Sequence, residues 1–395
     1  MRLDPTILRL ASVHFVVDGY GNMLAPLLPL LLPRLDLTLA AAGTLTMLFQ
    51  LAASVSQVGF GHLADRWRPR LLLLGGPMVS VVILSLVGTA TSVWMLAAIL
   101  VVGGLGGAAF HPPAAALAYR LGGTRPGLAM SVHITGGSLG FSLGPLLFAP
   151  FVERAGLPWT PVLALPGLLV VGTLLARVPA FTFPRAPSRG LRALRPYARP
   201  LTLLYFIVVL RTMTSISFAT FMPVMLTRQG GTLAYAGMAV AAYLFASGIG
   251  GFLGGPAADR FGPRRVIALS LVLAVPFLLT ASLSTGWPFL VLVAAGGFLL
   301  QSTLPVNVTF GQSLAPVSAA TVASLMMGFA WGSGGVSVPF VGMVADRIGI
   351  EATLGAVSLV PLLAAALALA LPERPPARFQ AASPADPGEI GTVVR

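Results

Sequence analysis

Two copies of one charged motif decide the fold: Gly61-His-Leu-Ala-Asp65-Arg66-Trp-Arg-Pro-Arg70 and Gly255-Pro-Ala-Ala-Asp259-Arg260-Phe-Gly-Pro-Arg264-Arg265. The second copy begins 194 positions after the first, and each copy lies between two long apolar stretches. The second half of the chain therefore repeats the first. A repeat of this size within apolar sequence indicates a membrane protein built from two related helical bundles.

The composition excludes an ordinary soluble domain. The mean hydropathy is +0.91, and charged residues make up 9% of the chain, whereas soluble domains carry about 25%. The net charge of +13 comes from arginine alone, and these arginines lie in short connections between apolar stretches, which argues against a nucleic-acid partner. Because there is no cysteine and the four histidines are far apart in the sequence, we expect no metal site and no cofactor.

Hydropathy predicts twelve membrane-spanning helices, six in each half, because stretches of about 20 apolar residues recur along the chain. The first six are 8–31, 39–61, 71–90, 93–119, 127–152 and 159–178, and the last six are 201–227, 233–256, 266–284, 287–314, 318–345 and 351–371. This predicts an all-α membrane protein with an N-terminal bundle over 1–178 and a C-terminal bundle over 201–371. A basic cytoplasmic linker, 179–200, joins the bundles, and a polar, Pro-rich tail, 372–395, is expected to be disordered.

The distribution of arginine sets the predicted orientation in the membrane. With both termini on the inner side, 19 of the arginines fall inside and 4 outside, while Arg211 lies within a span. Basic residues accumulate on the cytoplasmic side. We therefore expect a multi-pass protein of the cell's inner membrane with both termini cytoplasmic, and we expect it to be a monomer.

The repeat extends beyond the charged motif. A shift of 193 residues places Gly103-Gly104 on Gly296-Gly297, Pro112 on Pro305, and Glu153-Arg154 on Asp346-Arg347. Six spans are an even number, so both halves enter the membrane from the same side. The halves are therefore parallel repeats, related by an axis along the membrane normal.

Twelve spans, a parallel repeat of six, a basic linker and this motif together resemble the major facilitator superfamily. The second motif copy matches the family pattern well, whereas the first has Arg68 and Pro69 where the pattern has Gly and Arg. Further stretches resemble the fosmidomycin-resistance branch, and they are His14-Phe15-x-x-Asp18, Gln50-Leu-x-Ala-Ser54-x-x-Gln57, Phe110-His111-Pro112 and Gly136-Gly137-Ser-x-Gly140-x-Ser142-x-Gly144-Pro145. The resemblance implies alternating-access transport and, for this branch, proton-driven export of small antibiotics.

Asp18 is the acid expected deepest inside a span, and His14 lies one helical turn before it. An ionisable side chain in a bilayer costs several kcal/mol unless it is paired or hydrated, so it is a functional candidate. Since histidine titrates near neutral pH, the two side chains could load and release a proton. The alternative is that Asp18 only bonds a neighbouring helix.

A second group of residues is expected to line the substrate cavity. In the resembled superfamily the first, fourth, seventh and tenth spans line it, and these carry Asp18, His111, Arg211 and Asn307 respectively. Arginine binds carboxylates and phosphonates with two parallel hydrogen bonds, which favours an anionic or polar substrate. An Asp18–Arg211 pair, or packing roles for the histidines, are the structural alternatives. The full predicted set is Arg211, His111, His133, Asn307 and Gln50.

The motif residues are expected to act as a gate at the inner ends of the second and eighth spans. An acid just past a helix end can accept bonds from a neighbouring helix N-terminus, and such contacts form only when the inner gate is closed. The predicted gating set is Gly61, Asp65, Arg66, Arg70, Gly255, Asp259, Arg260 and Arg264. A stripe at Gly136, Gly140 and Gly144 suits either a sliding interface between halves or plain tight packing.

The sequence therefore predicts a secondary active transporter, most simply a proton-coupled exporter of a small polar or anionic compound or antibiotic. Its partners would be that substrate, protons and the lipid bilayer. An importer or uniporter of a metabolite, or a non-transporting sensor, are the alternatives. The sequence has no nucleophile–base signature, P-loop or metal-ligand spacing, so we do not expect an enzyme.

Overall fold

The computed structural model describes residues 4–66, 69–123, 125–175, 178, 191–315, 321–322 and 325–373, and within these ranges it is helical without β-strand. Eleven helices of the described part are long and apolar enough to cross a membrane. A shorter apolar helix, Leu157–Thr173, takes the sixth place in chain order. These twelve segments, numbered here as spans 1 to 12, confirm the predicted fold class.

The first half contains spans 1 to 6, and two of them are interrupted. Span 1 is broken at Asn22 and Met23, and span 2 contains a π-helical turn over Leu51–Val55. The helices are Pro5–Gly21 and Leu24–Arg34 (span 1), Leu39–Gln50 and Ser56–Arg66 (span 2), Pro69–Ser85 (span 3), Val93–Leu121 (span 4), Pro126–Ala155 (span 5) and Ala164–Leu175 (span 6). Short 3₁₀ turns, Leu86–Thr89 and Leu157–Leu163, end span 3 and begin span 6.

The second half repeats this plan in spans 7 to 12. A 3₁₀ segment, Leu191–Tyr197, leads into span 7, and a π-helical turn, Leu325–Phe329, opens span 11. The helices are Ala198–Arg228 (span 7), Leu233–Phe261 (span 8), Pro263–Ala281 (span 9), Gly286–Leu314 (span 10), Ala330–Val336 and Val338–Ile348 (span 11), and Ile350–Val357 and Val360–Leu369 (span 12).

Three glycines make the tight connections between consecutive spans. Gly156, Gly262 and Gly349 have φ angles of 87°, 88° and 90° and follow spans 5, 8 and 11. This left-handed region is strained for residues with a Cβ atom but open to glycine. The duplicated position of Gly156 and Gly349 shows that the repeat fixes turns as well as helices.

The halves meet closely at the ends of the spans that the arginine count places outside. Span 5 packs against span 8, and span 2 against span 11. A Cβ atom at Gly43 would come within 2.8 Å of the Val338 carbonyl carbon, and one at Gly237 would come within 2.6 Å of the Ala149 side chain. Glycine at these two positions lets the backbones approach closely.

The structure differs from the predicted organisation in two details. The helices continue through the charged motif, so Asp65 and Asp259 lie in the last turns of spans 2 and 8 rather than beyond their ends. The backbone hydrogen bonds of the span 8 helix end at Gly262, which has a positive φ angle. Span 7 likewise begins at Ala198, inside the predicted linker. The side chains of Asp65 and Arg66, residues 179–190 of the linker and residues 374–395 of the tail lie outside the described residues.

Candidate functional site

A cluster of one carboxylate and three imidazoles forms inside the first half. His14 Nε2 lies 3.2 Å from Asp18 Oδ2, and His111 Nε2 lies 3.5 Å from Asp18 Oδ1. The His133 ring stacks on the His14 ring with centroids 4.3 Å apart. Spans 1, 4 and 5 supply these residues. Histidines that are far apart in the sequence meet here because these three helices pack together, whereas His62 is exposed.

The geometry of His14 requires a proton between this ring and Asp18. His14 Nδ1 lies 2.8 Å from the backbone carbonyl oxygen of His133, which can only accept, so Nδ1 carries the hydrogen. In a neutral ring Nε2 would then present a lone pair to the Asp18 carboxylate. Two acceptors at 3.2 Å repel each other unless a proton lies between them. Either the imidazole or the carboxyl group is therefore protonated in this arrangement.

Close packing encloses one side of this pair while another side stays partly open. A Cβ atom at Gly137 would lie 2.6 Å from Asp18 Oδ2 and would also collide with His14 Nε2. The side chains of Asp18 and His111 nevertheless keep 23% and 24% of their surface exposed. The cluster can therefore exchange protons with water while the His14–Asp18 geometry is held by helix packing.

The same cluster offers metal-ligand atoms. One ligand atom each from His14, Asp18 and His111 lies within 4.8 Å of the others, and two imidazoles with one carboxylate can bind divalent transition metals. The two imidazoles, however, contact different oxygens of Asp18. That geometry suits two separate hydrogen bonds to the carboxylate.

A small cavity lies between the two halves. Spans 1, 2 and 5 line it from the first half, and spans 7, 8, 10 and 11 from the second. Gln50 lines the cavity, as predicted for a substrate-cavity residue. Sequence reasoning missed two others: Asn22, at the break in span 1, and Trp331. The position of Asn22, one turn after Asp18 on the same helix, is the signal that could have identified it.

Arg211 lies behind the cavity wall rather than in it. The residue is fully buried, its Nη1 donates to Gln301 Oε1, and its Nη2 donates to Thr212 Oγ1 at 3.0 Å. Its guanidinium carbon lies 5.3 Å from the centre of the Trp331 ring. Gln301 and Trp331 both line the cavity, so they separate Arg211 from it.

The guanidinium lacks a countercharge within the described part of the chain. No described carboxylate comes within ion-pair distance of Arg211, so the alternative of an Asp18–Arg211 pair is not realised in this state. Arg211 Nε is buried with no hydrogen-bond partner. A buried, unneutralised charge is costly, so this site strongly favours an anion.

The other predicted cavity residues occupy different places. His111 and His133 belong to the cluster of the first half and are absent from the described cavity wall. Asn307 is fully buried in span 10, and neither of its amide atoms has a hydrogen-bond partner among the described residues. Asn307 is therefore set apart from the cavity wall, although its unpaired amide marks a polar interior in the second half.

The charged motif makes few contacts in this state. Asp259 is exposed and forms no hydrogen bond or ion pair with the residues described here. Arg264 Nη1 lies 3.8 Å from Glu373 Oε1, and Arg260 lies over the Phe261 ring. Gly61 faces Pro112, Gly255 faces open space, and Arg70 is exposed. The closed-gate contacts predicted for Asp259 are thus absent from the described surface.

The glycine stripe of span 5 packs within the first half. Cβ atoms at Gly136, Gly140 and Gly144 would collide with the backbone of span 1. Tight packing, rather than a sliding interface between halves, therefore explains this stripe. In span 11, by contrast, Gly335 faces Gln50 of the first half, so glycine does line the interface between the halves there.

Comparison with known proteins places this arrangement in a family. The model of the Major Facilitator Superfamily matches residues 10–203 and again 201–392. The fosmidomycin resistance protein of Escherichia coli (strain K12) is 30% identical over 365 residues, covering 89% of this chain and 88% of that protein. The multidrug resistance protein MdtG of Serratia proteamaculans (strain 568) is 28% identical, covering 75% of this chain and 77% of its own length.

A solved structure shows the same fold. A bacterial homologue of the human lysosomal transporter Spinster, in an inward-facing and unoccupied conformation, superposes with a TM-score of 0.79. It is 17% identical in sequence, and the superposition covers 93% of this chain and 96% of the other. Two matches to one family model, a relative at 30% identity and the shared twelve-span fold agree: the chain belongs to the major facilitator superfamily and is a multi-pass membrane transporter.

Proposed function

We propose that this transporter is a proton-coupled exporter that exchanges inward-moving protons for a small polar or anionic compound by alternating access. The observation that carries the proposal is the His14–Asp18 contact, which requires a proton between a buried imidazole and a partly exposed carboxylate. The names of two relatives, a fosmidomycin resistance protein and a multidrug resistance protein, support export as the direction. The protein would lie in the bacterial inner membrane with both termini in the cytoplasm.

The cluster provides a chemically complete proton site. Asp18 offers one oxygen to each of two imidazoles, so a proton can be shared with His14 and charge can be balanced by His111. Imidazole changes its charge near neutral pH, the range in which a bacterial proton gradient operates. Partial exposure of Asp18 and His111 gives water access for loading and release.

Arg211 supports an anionic substrate. A guanidinium buried without a carboxylate partner in the described chain favours a ligand that supplies the missing negative charge. Carboxylate, phosphate and phosphonate groups accept two parallel bonds from arginine. The Escherichia coli relative is named for resistance to fosmidomycin. We propose that this chain carries small compounds that bear such an acidic group.

Alternating access would move the cavity between the two sides of the membrane. The contacts of span 2 with span 11 and of span 5 with span 8 close the outer ends, and the exposed motif acid Asp259 suits an open inner end. We infer an inward-facing state. In the outward-facing state the motif residues would form the inner gate, and the bundles 1–178 and 201–371 would rock about the cavity.

The test uses the purified protein in liposomes that contain a pH-sensitive dye. Adding fosmidomycin, as the probe, under an imposed pH gradient should move protons in the wild type, whereas Asp18→Asn should bind the probe but move no protons. Asp36→Asn is the matched control, because Asp36 is exposed and its positive φ angle of 49° also suits asparagine. Proton flux equal to wild type in Asp18→Asn would refute the coupling site, and probe uptake without proton movement would identify a uniporter.

A further inference from the structure

Gln301 occupies the position that the acidic group of a substrate would need. Its side chain lines the cavity, and its Oε1 accepts from Arg211 Nη1 on the far side of the wall. Gln301 is 8% exposed and Arg211 is fully buried. An anion entering the cavity therefore meets Gln301 before it meets the guanidinium.

We propose that Gln301 is a specificity residue, because its hydrogen bond to the guanidinium of Arg211 is displaced by an acidic group but not by a neutral one. Its amide oxygen is a neutral acceptor, whereas a carboxylate or phosphonate also neutralises the buried guanidinium charge and accepts two parallel bonds from it. A carboxylate or phosphonate can therefore displace Gln301 from Arg211, while a neutral hydroxyl or amide gains nothing by the exchange. The inference rests on the proposed anionic substrate and adds the step that separates acids from neutral analogues.

Substitution by glutamate tests this role, because it would supply a permanent carboxylate in the same position. We expect Gln301→Glu to weaken the binding of methylphosphonate by about tenfold or more, measured by thermal shift and equilibrium dialysis. Gln301→Met, which removes the acceptor, should bind methylphosphonate more tightly than the wild type. Thr285→Glu, an exposed position between spans 9 and 10, is the control for added charge.

Two outcomes separate this inference from the proposed function. If Arg211→Gln binds methylphosphonate as the wild type does, the anion site itself is wrong. If Arg211→Gln loses binding while Gln301→Glu and Gln301→Met both retain wild-type affinity, the anion site stands and the role of Gln301 is refuted.

A second, independent feature is a duplicated sequence at the outer ends of the halves. Thr38-Leu-Ala-Ala-Ala-Gly43 recurs as Thr232-Leu-Ala-Tyr-Ala-Gly237, at the starts of spans 2 and 8. Glu153 and Asp346, which the repeat superposes, lie in the last turns of spans 5 and 11. Each half therefore carries one helix start and one acid.

The acids bond the helix starts of the opposite half. Asp346 accepts from the backbone amides of Leu39 and Ala40, both at 2.9 Å. Glu153 accepts from the backbone amide of Leu233, also at 2.9 Å. The side chains of Thr38 and Thr232 already accept from amides further into the same helices, Ala41 and Tyr235. A threonine of the same half and a carboxylate of the opposite half together satisfy three free amides at the start of span 2 and two at the start of span 8.

We infer that Glu153 and Asp346 form a reciprocal outer latch that stabilises the state in which the outer ends are closed. The bonds are charge-assisted and lie at the positive ends of two helix dipoles. All three bonds cross between the halves, so they break when the outer ends separate. The latch therefore biases the conformational equilibrium without touching the cavity, since neither acid lines it.

The latch can be tested by distance measurements between spin labels on introduced cysteines. The chain has no cysteine of its own, so Thr91→Cys and Leu283→Cys, exposed positions near the outer ends of the two halves, give clean labelling. We expect Asp346→Asn to raise the open-to-closed ratio about tenfold or more, and Glu153→Gln to raise it less, because Asp346 makes two bonds and Glu153 one.

Glu351→Gln is the control, because this half-buried acid contacts Gln229 of its own half. Both single variants replace a carboxylate by an amide of the same shape, and the folded fraction is checked by size-exclusion chromatography. If neither single variant nor the double variant shifts the distance distribution while Glu351→Gln also leaves it unchanged, the acids are local helix caps and the latch is refuted.

Discussion

Replacing Gly137 by alanine should uncouple proton movement from transport without removing a titratable group. Gly137 lies in span 5 against the His14–Asp18 pair, and its new Cβ atom would lie 2.6 Å from Asp18 Oδ2. Non-bonded heavy atoms prefer about 3.5 Å or more. Both side chains must therefore move by about 1 Å away from span 5, which disturbs the 3.2 Å contact of His14 with Asp18.

The size of the effect follows from the contact that is lost. A hydrogen bond to a charged group contributes about 1.5–3 kcal/mol, and each 1.4 kcal/mol is about a tenfold change in an equilibrium constant. Coupling should therefore weaken about ten- to a hundredfold. Alanine in a helix interior is about 1 kcal/mol more favourable than glycine, which offsets part of the loss, so the variant should still fold.

The assay compares proton flux in liposomes with equilibrium binding of the substrate probe. Gly59→Ala is the matched control, because Gly59 is also helical and a Cβ atom there would meet nothing within 4 Å. Coupled flux equal to the wild type in a folded Gly137→Ala protein would show that the His14–Asp18 contact is not the proton site.

Three further predictions concern other parts of the mechanism. Arg211→Lys keeps the charge but loses the planar fork, so transport of an anionic probe should fall strongly, and unchanged affinity and rate in Arg211→Ala would show that the guanidinium is structural. Asp259→Asn should lower the outward-open population, measured by spin labels on the inner ends of spans 2 and 8, and unchanged populations would make the motif an anchor for topology rather than a gate. Asn22→Ala leaves the Phe141 carbonyl without its 2.8 Å donor, so thermal unfolding should show a loss of about 1–3 kcal/mol, and wild-type stability would show that this bond contributes nothing.

The sequence predicts the fold well because the bilayer imposes simple rules. Helix length follows from membrane thickness and the repeat follows from the shared motif, so the twelve segments and their pairing into two halves could be derived. The helix ends were less predictable. Hydropathy falls at the membrane surface, whereas the backbone hydrogen bonds of spans 2 and 8 continue through the polar motif to Arg66 and Phe261.

The site was predictable in its residue types but not in its grouping. Asp18, His14 and Arg211 stand out because ionisable residues are rare inside spans. The meeting of His111 and His133 with that pair depends on the rotation of spans 4 and 5 about their axes, which no local pattern fixes. Trp331 was missed for the same reason, since an aromatic residue in an apolar span looks like core until its contact with Arg211 is known.

The location of the two ionisable sites limits how protons and substrate can be coupled. The His–Asp cluster lies entirely in spans 1, 4 and 5, and the Arg211–Gln301 contact lies entirely in the second half. A rocking motion of one half against the other would therefore leave the contacts within each site intact. A direct exchange between Asp18 and Arg211 is absent from the described contacts. If protons and substrate are coupled as we propose, the link passes through the cavity wall that both halves share.

Span 1 provides one such path. It breaks at Asn22, one turn after Asp18, and the Asn22 side chain donates to the Phe141 carbonyl of span 5, with both residues lining the cavity. Loading a proton changes the bond between span 1 and the imidazoles, and Gly137 of span 5 packs directly against that bond. A change in the span 1–span 5 contact would thus reach the cavity wall through Asn22 and Phe141. If this path couples the sites, Asn22→Ala should reduce proton flux per substrate moved while leaving anion affinity at Arg211 unchanged, whereas an equal loss of both would place coupling elsewhere.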